Sequence, residues 1–185
     1  MLLWIIIGIV LLLLLWLIVM YNGFIKARIK IDNSWSDIQV FLKKRFDLIP
    51  NLVNTVKGYA AHESGTLEKV VQARNAAASV PPTNVGQTAQ ANGVLDGALR
   101  GLLAVAESYP DLKANQNFLG LQKALQDIEG DLGNARRYYN ATVRDYNTSI
   151  QQFPGVIIAK ATGFTKREFF ELENATEAKN VEVRF

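Results

Sequence analysis

The 185-residue chain has no cysteine and a single histidine. Without cysteine there is no disulfide framework, no thiolate metal site and no thiol nucleophile. His62 and Glu63 begin like the two-histidine zinc-protease helix, but the second histidine would fall at position 66, which is Thr66. No Gly-rich phosphate loop and no Gly-x-Ser-x-Gly elbow occurs either. The carboxylates Glu171 and Glu173 sit in a charged stretch where solvation accounts for them. These absences predict a protein that is not an enzyme and carries no cofactor and no metal.

A strong excess of one charge is also lacking. Twenty basic against seventeen acidic residues leave a net charge of +3, and acids are interspersed from Asp32 onward. Nucleic acid needs a clustered basic face, so no such partner is expected. The run Arg136-Arg137-Tyr138-Tyr139 offers rings for base stacking, but Tyr139 falls on a helical seam that would bury it. Lys43, Lys44 and Arg45 read as a solvated helix face.

What is abundant is apolar residues. Positions 2–19 carry no charge. At about 1.5 Å per residue such a run crosses the roughly 30 Å core of a bilayer. No basic segment precedes it and no Ala-x-Ala-like site follows it, which favours a retained transmembrane helix over a cleaved leader. Trp4, Trp16 and Tyr21 lie near its ends, where amphipathic rings favour the membrane interface. Lys26, Arg28 and Lys30 follow the span and nothing basic but the amino terminus precedes it, so the positive-inside rule puts the N-terminus outside and the body in the cytoplasm.

The body reads as helices. Leu42, Phe46, Ile49, Val53, Val56, Ala60, Leu67 and Val70 keep spacings of four and three, which predicts one long helix over 34–79. Ser34 stands as its N-cap and Pro50 as an internal kink. A second helix is expected over 94–109, stopped by Pro110. Phe118, Leu121, Leu125, Ile128, Leu132, Tyr139 and Tyr146 mark a third over 115–153, with the clearest periodicity in the chain. The first and third pair along these seams and outreach the second, so part of the seam is left for a second copy of the chain. Residues 156–163 predict a short fourth helix, placed by an up-down-up path at the far end of the bundle as a cap. Val181, Val183 and Phe185 alternate with period two, which reads either as a frayed tail or as a strand that docks on a partner.

Leu42-Lys43-Lys44-Arg45-Phe46-Asp47-Leu48-Ile49-Pro50-Asn51-Leu52-Val53, Val56-Lys57-Gly58-Tyr59-Ala60-Ala61-His62-Glu63 and Ser108-Tyr109-Pro110-Asp111-Leu112-Lys113-Ala114-Asn115 resemble the LemA family of bacterial membrane proteins. The resemblance implies a single-pass protein of the bacterial inner membrane that organises or shapes membrane, as a relative does in forming magnetosome membranes. It also implies an alternative, an adaptor or substrate-presenting partner of an HtpX-like membrane metalloprotease. The expectation is therefore an all-α protein: an anchor at 1–21, a basic connector at 22–33, a long antiparallel helical bundle at 34–164 and a charged tail at 165–185. Its partners would be the lipid bilayer, other copies of itself and a membrane protease.

Overall fold

A computed structural model describes residues 1–171, and Val181, Val183 and Phe185 lie outside them. The fold is all-α, with no strand among the described residues: α1 Leu2–Lys57, α2 Ser64–Ser79, α3 Val85–Glu107, α4 Pro110–Lys113, α5 Gln116–Ser149 and α6 Gly155–Thr162. The chain forms two compact units, one of Met1–Ile38 with Gly133–Phe169, the other of Gln39–Leu132 with Phe170. Both α1 and α5 contribute to each.

In the second unit four helices share one core. Ile49, Leu52, Val53 and Val56 of α1 meet Leu67, Val70, Ala73 and Ala77 of α2, Leu95, Leu99 and Leu102 of α3, and Phe118 and Leu125 of α5. Hydrogen bonds fix the directions. Gln39 Nε2 donates to the Pro82 carbonyl at 3.1 Å and Arg74 Nε to the Phe46 carbonyl at 3.2 Å, so α2 runs back along α1. Arg45 meets Asn92, while Tyr109 Oη donates to Glu63 at 3.4 Å, so α3 follows the direction of α1. Asn115 Nδ2 donates to Tyr59 Oη at 2.8 Å and Arg45 meets Glu129, so α5 returns.

Two expectations for the 34–79 segment are corrected here. Ser34 is not a start: it lies 1% exposed within α1, its hydroxyl donating to the Ile31 carbonyl at 2.8 Å. Nor is there one helix to 79. α1 passes through Pro50 but stops at Lys57, where Gly58 N–H donates to the Thr55 carbonyl at 3.2 Å and Tyr59 N–H to the Val56 carbonyl at 3.0 Å. These three-residue bonds tighten the last turn and let the chain reverse. The apolar spacing survives the reversal because α1 and α2 face the same core.

The second helix begins earlier than expected, at Val85 instead of 94. Asn84 caps it, accepting from the Gln87 N–H at 2.9 Å.

The first unit holds the start of α1 against the end of α5. Ser34 and Thr142 hydroxyls stand 3.3 Å apart, and the rings of Trp35 and Tyr139 5.5 Å apart. Each hydroxyl has one proton and gives it to its own helix, Thr142 donating to the Tyr139 carbonyl at 2.8 Å. Neither hydroxyl at this contact is left unpaired. Further along, Phe24 packs beside Gly155, so α1 and α5 are antiparallel. Helix α6 then lies alongside Leu17, Ile18 and Tyr21. The expected distal cap is corrected: α6 lies beside the apolar start of α1 and not at the far end of the bundle helices.

Candidate membrane-proximal site

The apolar start of α1 is long enough to cross a membrane, and none of its most apolar stretch is buried within the protein. Trp4, Trp16 and Tyr21 are exposed, as are Lys26, Arg28 and Lys30. Next to the span, Phe164 stands edge-on to Tyr21 and Phe24, with ring centroids 5.6 and 5.4 Å away, and the Arg28 guanidinium lies 5.6 Å over its face. Such a cation on a ring face gains about 0.5–1 kcal/mol at an exposed site. Lys30 takes the same position over Tyr138 at 5.5 Å. Between α1 and α6 lies an apolar groove of about 400 Å³, walled by Leu17, Ile18 and Tyr21 on one side and Ile157, Ile158 and Ala161 on the other.

Gly163 adopts φ +76°, a left-handed conformation suited to glycine, and ends α6. The chain then runs back along α5 as an extended strap. Tyr146 Oη donates to the Thr165 carbonyl at 3.0 Å, and Tyr139 Oη to the Glu168 carbonyl at 2.9 Å. Asn147 donates through Nδ2 to the Arg167 carbonyl and accepts the Arg167 N–H, each at 2.9 Å. Arg167 also reaches Asp32 at 3.1 Å. Residues 165–168, the start of the segment expected as a charged tail, are therefore pinned to the helices. Burial pushes the Tyr139 phenol up to about 12, against a partial offset from Arg167 and with Glu168 and Asp32 adding to the rise. Burial likewise raises Tyr146, with Arg167 and Arg28 opposing.

In the second unit Arg45 is 1% exposed, which corrects its reading as part of a solvated face. Lys43 and Lys44 are exposed. Arg45 pairs with Asp96, approaches Asn92 Oδ1 at 3.4 Å, and holds Nε 2.7 Å from Glu129 Oε1. That last approach is short but misaligned for a hydrogen bond, so the attraction is charge to charge. The signal was present in the sequence, since position 45 falls three after Leu42 and four before Ile49 on the apolar stripe.

The seam residues lie in the interior. Leu42, Ile49, Val53, Val56, Phe118, Leu125, Leu132 and Tyr139 are each under 9% exposed, and Phe46, Leu121 and Ile128 are half-buried. At these residues one chain already buries the seam, and in the second unit α2, unforeseen as a separate helix, contributes to the cover. His62 is exposed in the 58–63 turn, and among the described residues no group of three or more His, Asp or Glu is placed to hold a metal ion.

Residues 34–185 match the LemA family model, which takes in α1 from Ser34 onward, α2 to α6 and the strap. The chain belongs to the LemA family. Similar proteins include magnetosome protein MamQ of Magnetospirillum gryphiswaldense, 25% identical over 83% of this chain and 65% of the relative. Magnetosome protein MamQ 2 of Paramagnetospirillum magneticum is 25% identical over 84% of this chain and 66% of its own length. Protein LemA of Metamycoplasma hominis is 25% identical over 88% and 72%. The chain thus spans about two thirds of the length of the MamQ relatives it matches. The LemA match begins beyond the apolar start of α1, the one stretch among the described residues that is long and apolar enough to cross a membrane.

Proposed function

We propose that this LemA-family chain is a non-catalytic, membrane-anchored helical scaffold that organises or shapes the bacterial membrane together with other copies of itself. The observation that carries the reading is the continuity of α1. The apolar span and the packed residues Phe24, Ile31, Ser34 and Ile38 belong to one uninterrupted helix, so no linker separates the bilayer from the first folded unit. A tether serving only for localisation needs no such coupling, whereas a protein that passes orientation between membrane and body does. The magnetosome naming of the MamQ relatives lends support to a structural role. Assembly is not supported by the bundle seam, which one chain already buries. Its support is the span, whose exposed faces meet other copies within the plane of a membrane. We place the N-terminus outside and the body in the cytoplasm of the inner membrane, on the basic flank Lys26, Arg28 and Lys30. The adaptor alternative rested on the 181–185 tail, and no described residue favours it.

A flexible Gly-Ser insertion after Asn22 tests the coupling. The variant is expected to remain in the membrane fraction yet lose copy-to-copy crosslinks and any effect on membrane shape seen by electron tomography of producing cells. Unaltered crosslinks and morphology in the variant, or no crosslinks in the parent chain, would overturn the scaffold reading.

A further inference from the structure

We infer that the groove between α1 and α6 is a lipid site, taking one acyl chain of an anionic phospholipid, and that α6 rests in the membrane interface beside the span. The groove is about 400 Å³, within the roughly 300–1,000 Å³ of small-ligand sites. Its walls are apolar, and one wall is Leu17, Ile18 and Tyr21, the end of the segment that the bilayer surrounds. An opening at that level faces acyl chains and not water.

The outer face of α6 agrees. Ile158 is buried, but Ile157 is 61% exposed and Phe153, just before the helix, is 81% exposed. In water this is an unfavourable surface, whereas at a headgroup boundary it is the apolar side of an interfacial helix. Lys160 falls on the flank of Ile157, where its stem can lie along the apolar face with the ammonium in the headgroups.

Charge selects the lipid. The two stretches that the fold brings together here carry Lys26, Arg28, Lys30, Lys160, Lys166 and Arg167, against Asp32, which pairs with Arg167, and Asp145 and Glu168 at their ends. Tyr21 lines the groove and touches Phe164, and Arg28 lies over the Phe164 ring. An acyl chain in the groove therefore emerges beneath cations, and an anionic headgroup is the one they favour.

The inference rests on α1 being embedded in a bilayer, and the test separates the two. Since the full chain has no cysteine, single nitroxide labels at Leu11→Cys, Phe153→Cys and Ile157→Cys are free of background in nanodiscs of phosphatidylglycerol and phosphatidylcholine. All three are expected to relax faster with oxygen than with a water-soluble nickel complex. A membrane-buried label at position 11 with water-exposed labels at 153 and 157 overturns the lipid site alone. A water-exposed label at 11 overturns the anchor as well. In native mass spectra of detergent-purified protein, Ala161→Trp fills the groove and is expected to retain phosphatidylglycerol about tenfold more weakly. Lys160→Glu is expected to erase the preference for phosphatidylglycerol over phosphatidylcholine. Retention equal to the parent chain in both variants overturns the proposal.

Discussion

Arg74 Nε donates to the backbone carbonyl of Phe46, 3.2 Å away. That carbonyl is the one Pro50 leaves without a helical donor, because proline has no N–H to return four residues back. A side chain from α2 thus fills a gap that α1 creates in itself, which explains how α1 runs through a proline. Pro50→Ala restores the donor, and Arg74→Ala then loses less than it does beside proline. A double-mutant cycle by chemical denaturation of the detergent-solubilised protein is expected to give a coupling of about 0.5–3 kcal/mol. Additive effects would separate the arginine from the proline.

The ion cluster of Arg45, Asp96 and Glu129 is asymmetric, with the cation buried and the two carboxylates partly in water. Removing the acids strands a guanidinium in the core, whereas removing the arginine frees carboxylates that solvent still reaches. Asp96→Asn with Glu129→Gln is therefore expected to lower stability by about 3–5 kcal/mol. Arg45→Met is expected to cost less. The midpoints of urea denaturation compare the two, and the opposite order would contradict the asymmetry.

Alkaline titration reports on the strap. An unfolded tyrosine ionises near 10, and Tyr139 in the folded protein near 12. Between those values the folded state holds a proton the unfolded state has released, so the stability from Tyr139 is full below pH 10 and falls as pH rises toward 12. Tyr139→Phe is expected to flatten that decline and to cost about 1 kcal/mol near neutrality through the lost bond to the Glu168 carbonyl. Thermal melts across the alkaline range measure both.

Asn147 holds the strap at two points on Arg167. Asn147→Ala is expected to cost about 1–3 kcal/mol and, more tellingly, to open residues 164–168 to protease. Trypsin cleavage after Lys166 or Arg167 should rise in the variant while helix content by circular dichroism stays constant. Unchanged protection would mean that Tyr139 and Tyr146 suffice.

Residues 2–19, Leu42 to Val56 and Phe118 to Tyr146 carry their own structure in their order. An uncharged run of that length has one low-energy environment, and a four-three apolar spacing has one backbone period that puts its residues on one face. From these the span, the long helices and their buried faces follow without reference to anything distant. The turn at 58–63 does not follow. Gly58 is the only weak helix former there, and the stripe continues across it because two antiparallel helices facing one core repeat the same spacing. Nor does the place of α6 beside Leu17, Ile18 and Tyr21 of α1 follow. The same holds for the partners of Arg45, for the strap on Asn147 and for the cover of the seam. Each joins residues tens of positions apart, and only the packing of helices in three dimensions could bring them together.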